Sequence, residues 1–348
     1  MRNFFKRFYR WEEWNFFILY LPLFPCWLWY CLRSGSFWFF SSSNPTLTFG
    51  GFEGEGKGEM YQQLPPHLYP KTIYIDPALP LTKAMQQIGE AGFTLPITVK
   101  PDVGMKGLLF RRIESWEQWE RYHQTIPAQY LVQDWIKYPK EYSIFYYRHP
   151  AEKKGVISGF IQKELLQVVG NGTATLEELI RLHPKAFSRK VELKAKHAAH
   201  WQTVIEKDCP YFLSFAGNHN RGAHFINLAD EIDQQLLEKF DELSAATQFY
   251  YGRYDLKANS VRELKTSHSF SIIEFNGCGS EPNHIYDCGL SLLQAYRTLL
   301  QHWRALFIIS AYNHRHGVKY WSFKRGWDLL KQAQSHFKKL EQLDVSGL

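Results

Sequence analysis

The chain has 348 residues and a formal net charge of +7, and its hydrophobic share of 45% is ordinary for a folded protein. This length accommodates one large or two modest domains with well-buried cores. Its five cysteines form no CxxC pair, which argues against a structural zinc site and indicates a reducing compartment.

The positive charge and many aromatic residues are concentrated at the two ends of the chain. Residues 301–348 contain eight Lys or Arg against three acids, and residues 1–10 contain four basic residues and no acid. A basic, aromatic surface can bind nucleic acid, but beside long apolar runs it favours an anionic membrane surface. The composition therefore disfavours nucleic acid as a partner.

Near the N-terminus, residues 15–32 carry no charge and just reach the length of a transmembrane candidate. Pro22 and Pro25 interrupt a helix there, and Trp and Tyr recur as they do at membrane interfaces. We expect residues 1–54 to form an apolar, aromatic arm with a kinked or interfacial membrane anchor. The alternative is that this arm packs on the catalytic body.

Residues 41–70 have the Ser, Gly and Pro content of a loop, and the main domain boundary is predicted there. Lys57 follows several glycines, which could present backbone N–H groups and a positive charge to an anion. The Walker spacing is missing, so a flexible connector is the alternative interpretation. The predicted division is an arm over 1–54, a catalytic domain over 55–312 and a basic helical extension over 313–348.

The catalytic region begins with a strand over residues 96–101 that includes Lys100. A glycine loop with Gly104, Lys106 and Gly107 follows, and a second strand is predicted at 108–110. A strand, glycine loop and strand in this order can fold over phosphate groups.

Further strands are predicted at 130–136 and 141–147, and helices are predicted to begin at Ser115 and Thr175. A polar, glycine-flanked loop over 217–225 carries Arg221. This mixture of helices with antiparallel hairpins indicates an α+β fold.

Two short strands in the last third of the chain carry the strongest chemical signal. Arg253 and Asp255 share one face of the first strand, and Glu274 and Asn276 share one face of the second. Antiparallel pairing would bring two carboxylates, an amide oxygen and a guanidinium to one patch, which suits Mg²⁺. The alternative is a surface hairpin whose charges face water.

Taken in order, these segments resemble the ATP-grasp superfamily of carboxylate–amine ligases over about residues 55–310. The two strands with Arg253, Asp255, Glu274 and Asn276 look like those of D-alanine–D-alanine ligase. The segment around Gly170-Asn171-Gly172 looks like cyanophycin synthetase. The resemblance implies an ATP-grasp fold, in which two α+β subdomains clasp ATP, here without the usual domain that precedes it.

The resemblance also implies roles for individual residues. The expected phosphate-binding residues are Lys57, Lys100, Gly104, Lys106 and Gly107. The expected contacts to adenine and ribose are Gln133, Asp134, Trp135, Ile136 and Glu141. Two Mg²⁺ ions, which Mn²⁺ could replace, would be held by Asp255, Glu274 and Asn276. Arg253 would stabilise the transferred phosphate, and Arg253 and Arg221 would stabilise the tetrahedral intermediate.

The implied reaction is ATP-dependent activation of a carboxylate as an acyl phosphate, followed by attack of an amine. Dependence on ATP places the protein in the cytoplasm, peripheral on the cytoplasmic face of the membrane if the arm is an anchor. Three alternatives stay open: a soluble ligase for a small or peptide substrate, a phosphotransferase, and a non-catalytic nucleotide-binding scaffold. The carboxylate and amine substrates are not identified by the sequence.

Overall fold

A computed structural model of the chain describes residues 11–215, 217 and 221–345, without the side chains of Glu13 and Val345. The chain divides into two units, each drawn from three stretches of sequence. The first unit is drawn from Met1–Tyr69, Tyr142–Gln162 and Phe225–Ala333. The second unit is drawn from Pro70–Glu141, Lys163–His224 and Gln334–Leu348.

Helices and strands are numbered here in chain order among the described residues. The helices are α1 (Phe16–Tyr20), α2 (Phe24–Ser34), α3 (Lys57–Tyr61), α4 (Leu81–Glu90), α5 (Trp116–Thr125), α6 (Leu176–Leu182), α7 (Pro184–Phe187), α8 (Lys190–Lys196), α9 (Gln234–Ala245), α10 (Val261–Thr266), α11 (Leu292–Arg315) and α12 (Phe323–Val345). The strands are β1 (Thr72–Ile75), β2 (Ile97–Pro101), β3 (Arg111–Ile113), β4 (Tyr130–Asp134), β5 (Lys140–Tyr147), β6 (Val156–Glu164), β7 (Gln167–Val169), β8 (Pro210–Phe212), β9 (His224–Asn227), β10 (Tyr251–Ala258) and β11 (Phe270–Asn276).

In the second unit, a four-stranded sheet has the order β1-β4-β2-β3, and each neighbouring pair is antiparallel. The strands predicted at 96–101 and 130–136 are confirmed as β2 and β4. Residues 133–136, which are expected to contact the adenine, are called the hinge from here on. The strand predicted at 108–110 is wrong, because β3 begins only at Arg111. Gly107 and Leu109 both have positive φ angles, so the chain is still turning where a strand was expected.

A five-stranded sheet with the order β11-β10-β5-β6-β9 belongs mainly to the first unit. Its β10 and β11 are antiparallel, as predicted from the spacing of the two strand-like segments. The short helix α10 occupies the connection between them. Together with the helices, these antiparallel sheets confirm the α+β class predicted from the sequence.

Two predicted helix starts are confirmed by their caps. The Ser115 hydroxyl accepts a hydrogen bond from the Gln118 N–H at the start of α5. Thr175 and Glu178 form a reciprocal capping box at the start of α6. The sequence signal succeeds here because a cap depends on residues only three positions apart.

The arm and the following loop are part of the first unit rather than an exposed connector. Ser41, Ser42, Ser43 and Asn44 are all buried. The Asn44 side chain donates to the carbonyls of Gly50 and Tyr251 at 2.9 Å and accepts from the Tyr250 N–H. Buried polar groups are stable when they are hydrogen-bonded in this way, and composition alone does not reveal such partners.

Aromatic side chains from the arm build a core cluster in the first unit. Trp38, Phe39, Phe40 and Phe49 are buried together with Phe145 and residues of α11. At the other end of the chain, the predicted helical extension is present as α12, whose residues divide between the two units after Ala333. The domain boundaries at 54 and 312 stay predictions.

Candidate active site

The register of β10 and β11 brings the predicted metal-binding residues together. Asp255 lies opposite Glu274, and Arg253 lies opposite Asn276. Residues directly opposite in an antiparallel pair share a face, with Cβ atoms roughly 5 Å apart. The convergence expected from side-chain alternation is therefore present in the structure.

Asp255 is a buried carboxylate that is surrounded by donors. Arg253 donates from Nε to Oδ1 and from Nη2 to Oδ2, both at 3.2 Å. The Ser143 hydroxyl also donates to Oδ1, and the Asn276 amide donates to Oδ2 at 3.2 Å. A carboxylate offers about four lone-pair sites, so Asp255 would have to exchange one of these partners in order to bind a metal ion.

Arg253 is held in place by two groups in the first unit. Besides its paired contact with Asp255, its Nη1 donates to the Glu281 carbonyl at 3.2 Å. Burial lowers the pKa of this guanidinium, but the charge of Asp255, followed by those of Glu274 and Glu281, raises it above its ordinary value. Arg253 is therefore a permanent positive charge beside the candidate metal ligands.

Glu274 differs from Asp255 because its side chain is 35% exposed and its described ionic partner is Lys57, at 3.6 Å. Lys57 is the first residue of α3. Burial raises the pKa of Glu55 to about 7, and the charges of Glu274 and Glu59 add to this rise. The positive charge of Lys57 acts in the opposite direction. Glu55 is therefore a further carboxyl group in this cluster that the sequence analysis missed.

Close backbone packing explains why Glu55 and Lys57 lie near β11. The N–H groups of Cys278 and Gly279 donate to the carbonyls of Gly50 and Gly51 at 3.1 and 3.0 Å. A Cβ on Gly51 would lie 2.7 Å from the Gly277 Cα, and Gly51 has a φ of +74°. Glycine is thus required where the two backbones meet.

This donor set suits a hard divalent cation when a substrate supplies further oxygens. Mg²⁺ is usually bound by one or two carboxylates together with phosphates. Across residues 11–215, 217 and 221–345, no group of three or more His, Cys, Asp or Glu is arranged to hold a metal ion. The roles of Asp255, Glu274 and Asn276 as metal ligands therefore stay predictions. Of the three, Asp255 is the one whose oxygens are already bonded by Arg253, Ser143 and Asn276.

The residues expected to bind phosphates in the second unit lie on β2 and the following loop. Lys100 is half-buried and pairs in register with Leu131 of β4. Lys106 and Gly107 have φ angles of 53° and 68°, so the loop turns sharply after Gly104. The loop is tied to its own unit, because the Leu109 carbonyl accepts from the Tyr122 hydroxyl at 3.0 Å.

The hinge residues have structural partners in the same unit. Gln133 is buried, and its side-chain amide donates to the Thr72 hydroxyl at 2.7 Å. Asp134 lies 3.7 Å from Lys71, and the Trp135 ring is 4.7 Å from the Arg112 guanidinium. Ile136 is half-buried. With these side chains engaged, a base bound at this hinge would meet mainly backbone groups.

Glu141 forms an ion pair with Lys163, at 3.2 Å, and both side chains are almost fully buried. Gly217 packs against this carboxylate, since a Cβ there would lie 2.2 Å from Glu141 Oε1. Removing either partner of a buried pair leaves an uncompensated buried charge, so Lys163 holds the Glu141 carboxylate in place. The sequence analysis missed Lys163, although a lysine among the apolar residues of β6 was a visible signal.

Arg221 has three described partners, all in the second unit. It donates to the Lys106 carbonyl at 3.2 Å, to Glu192 at 2.8 Å and to Asp344 at 2.8 Å. Burial raises the pKa of Asp344, but the charges of Arg111, Lys196 and Arg221 hold it below its usual range. Arg221 therefore links the glycine loop to α12, and its catalytic role stays a prediction.

Comparisons with known proteins were made for sequence and for structure. No protein-family model and no curated protein matches the sequence. Among solved structures, a D-alanine–D-alanine ligase from Bacillus anthracis is 11% identical with a TM-score of 0.40, and the match covers 72% of this chain and 67% of that one. A bifunctional glutathione synthetase from Pasteurella multocida is 16% identical with a TM-score of 0.38, over 71% of this chain and 36% of that one.

A third similar structure is an ADP complex of N5-carboxyaminoimidazole ribonucleotide synthetase, at 11% identity and a TM-score of 0.43. The match covers 76% of this chain and 54% of that one. This chain thus spans about a third to two thirds of the length of the structures it matches. By name these structures are one ligase and two synthetases. The function proposed below rests on this chain's own residues.

Proposed function

We propose that this protein is an ATP- and Mg²⁺-dependent ligase that activates a carboxylate as an acyl phosphate and joins it to an amine. The observation that carries the proposal is the β10–β11 register, which sets Asp255 against Glu274 and Arg253 against Asn276. The pairing of Lys57 with Glu274 adds a second cation to the same cluster. The order of motifs in the sequence supports the same activity.

The proposed chemistry follows from the weakness of a carboxylate as an acylating agent. Its oxygen attacks the γ-phosphate of ATP, ADP leaves, and the resulting acyl phosphate is attacked by an amine with release of phosphate. When bound, Mg²⁺ would neutralise phosphate charge as a Lewis acid. Glu274 and Asn276 are the residues proposed to hold it, with Asp255 joining them if it gives up one partner.

Arg253 is proposed to stabilise negative charge on the transferred phosphate. Its described contacts use one donor on each of its three nitrogens. A guanidinium carries a second hydrogen on both Nη1 and Nη2, and these remain for phosphate oxygens. Because Asp255 and the Glu281 carbonyl fix the group in advance, little reorganisation is needed when charge develops.

The nucleotide is proposed to use residues of the second unit. Lys100 and Lys106, with the backbone at Gly104 and Gly107, would bind the phosphates, and the hinge backbone would meet the adenine. Glu141 is proposed for the ribose hydroxyls, with Lys163 fixing its carboxylate. Use of ATP supports a cytoplasmic location.

The proposal is tested by incubating the protein with ATP, Mg²⁺ and a library of carboxylates and amines. Mass spectrometry should detect an amide, and phosphate should be released in equal amount. Glu274→Gln should reduce both by roughly a hundredfold or more, because it removes an anionic ligand of the Mg²⁺ that would neutralise phosphate charge. Glu164→Gln, at an exposed position on β6, is the matched control and should leave the rate unchanged.

Two results would redirect the assignment. A phosphorylated product without an amide would make the protein a phosphotransferase. ATP binding with no turnover, unaffected by Glu274→Gln, would make it a nucleotide-binding scaffold. The scaffold is a second candidate because the oxygens of Asp255 are already engaged by Arg253, Ser143 and Asn276.

A further inference from the structure

Helices α1 and α2 and the turn between them expose a row of large apolar side chains to solvent. We call this row the arm face, and it consists of Phe16, Phe17, Ile18, Leu21, Phe24, Leu28, Trp29 and Leu32. Phe17 is 79% exposed, Leu21 is 70% exposed and Leu32 is 77% exposed. A contiguous apolar surface of this kind marks an interaction site.

The opposite side of the same helices is buried in the first unit. Leu19 and Leu23 lie in a core cluster with Leu299 of α11. The Trp27 ring lies 5.0 Å from Trp303, and Tyr30 stacks on Phe307 at 4.7 Å. One side of these helices is therefore packed on α11, and the other side exposes apolar residues to solvent.

This packing separates an interfacial arrangement from a membrane span. Among the described residues, one segment could cross a membrane as judged by its length and composition. That segment is Phe16–Ser34. A span would have to pull Leu19, Leu23 and Trp27 out of their contacts with the first unit. Lying flat keeps those contacts and presents only the arm face.

Phe37 and two aromatic residues of α12 form a second exposed apolar cluster. Phe37, Phe323 and Trp327 are each 44% to 59% exposed. Phe37 lies 5.9 Å from Phe323, and Phe323 stacks on Trp327 at 6.0 Å. Phe323 also stacks on the buried Trp38, so this cluster is anchored to the core of the first unit.

Basic residues accompany these apolar groups. Residues 16–40 and 300–333 contain one acid, Asp328, which is paired with Lys324. The same segments contain seven exposed cations, namely Arg33, Arg304, Arg315, Lys319, Lys324, Arg325 and Lys331. Lys331 lies 5.6 Å from the exposed Trp327 ring, and Arg325 lies 3.7 Å from Trp321. The charge therefore adjoins the aromatic surface.

We propose that the arm face and the Phe37–Phe323–Trp327 cluster dock on an anionic lipid bilayer, with α1 and α2 lying in the interfacial plane. Aromatic side chains favour the level of the lipid headgroups, and cations beside them are attracted to anionic lipids. Residues 16–40 and 300–333, which carry this apolar surface, contain seven exposed cations and one acid, and that balance complements such a membrane. The docking does not depend on ligase activity, and only its assignment to the cytoplasmic leaflet rests on the proposed function.

The test is flotation of the full-length protein with vesicles of phosphatidylcholine, with and without phosphatidylglycerol. The protein should float with the anionic vesicles and bind neutral vesicles much more weakly. The triple variant Phe17→Ser, Leu21→Ser, Leu32→Ser should lower partitioning by roughly a hundredfold, because it removes apolar area that enters the interface. The control triple variant Val169→Ser, Leu182→Ser, Val191→Ser changes exposed apolar residues of the second unit and should bind as the parent does.

A second set of variants tests the charge. Changing Arg33, Arg304 and Lys331 to Gln should weaken binding to anionic vesicles by roughly fivefold per residue and reduce its salt dependence. The matched control changes the exposed Lys83, Lys153 and Lys154 to Gln and should have much less effect. Equal losses in both sets would show unspecific attraction and would overturn the assignment of this face.

Other outcomes would also overturn the proposal. Failure of the protein to float would do so. Conversion of a lipid-free dimer into a monomer by the arm-face variants would do so too, because it would make the face a contact between copies. Resistance of vesicle-bound protein to alkaline carbonate would indicate a span. Glu274→Gln should float normally and the arm-face variants should still bind ATP, so failure of docking is distinguishable from failure of the ligase proposal.

Discussion

Two arginines that were expected to act together lie in different surroundings. Arg253, in the first unit, pairs with the buried Asp255 and lies beside Glu274 and Asn276. Arg221, in the second unit, pairs with the buried Asp344 and with Glu192. Both have an aspartate partner, but only Arg253 has candidate metal ligands around that pair. From these partners we predict a larger contribution to turnover from Arg253 than from Arg221.

The largest expected effect comes from removing Arg253. Arg253→Met should lower turnover by roughly a hundred- to a thousandfold, as loss of a preorganised donor does in other enzymes. Arg221→Met should lower the turnover of folded protein by less than about tenfold, if its role is to tie the loop to α12. Steady-state rates, normalised to folded protein by circular dichroism, would compare the two variants.

Arg253→Lys sharpens this comparison. It keeps the charge but loses the paired contact with Asp255, so it should recover only a small part of the lost activity. Equal losses in the Arg253 and Arg221 variants would contradict the contrast drawn between them.

The next effect concerns stability of the second unit. Asp344→Asn removes a charge that Arg111, Lys196 and Arg221 face within 3.6 Å. Leaving these cations partly uncompensated should lower the free energy of unfolding by about 3 kcal/mol. Urea denaturation measures the change, and Asp328→Asn, in an exposed pair on α12, is the control. A change in turnover without a change in stability would give Asp344 a different role.

A smaller effect on stability is expected at low pH, through two buried histidines of the first unit. Burial lowers the pKa of His284 to about 4, and burial followed by the charge of His284 lowers the pKa of His302. The unfolded chain takes up these protons near pH 6.5, so it binds more protons than the folded state between about pH 6.5 and 4. The free energy of unfolding should therefore fall as the pH falls through this window, by about 1.4 kcal/mol per pH unit for each histidine that is protonated only in the unfolded chain.

Urea denaturation at several pH values measures this dependence, and His284→Asn should flatten it. His314→Asn, at an exposed position, is the control and should leave the slope unchanged. An unchanged slope in His284→Asn would contradict a buried neutral His284.

Local patterns in the sequence predicted the parts of the site that depend on neighbours along the chain. Alternation along β10 and β11 placed Arg253, Asp255, Glu274 and Asn276 correctly, because a strand fixes which side chains share a face. The cap at Thr175 was predicted for the same reason. Such features need only a few consecutive residues.

Partners that come from distant segments were missed. Glu55 lies within the influence of the charge of Glu274 on β11, because the backbones of Gly51 and Gly277 pack closely together. No local pattern in the sequence contains that contact. Asp344 meets Arg221 across more than a hundred residues of sequence. The burial of Asn44 likewise depends on Tyr250 and Tyr251 as hydrogen-bond partners.

The most direct test of the central claim follows the oxygen of the substrate carboxylate. Once a substrate pair is found, its carboxylate is labelled with heavy oxygen and incubated with ATP, Mg²⁺ and an amine. Activation as an acyl phosphate predicts that one labelled oxygen appears in the released phosphate, and that Glu274→Gln abolishes the transfer. Amide formation with one labelled oxygen in the amide and the other in water or AMP, and none in the released phosphate, would contradict the proposed mechanism.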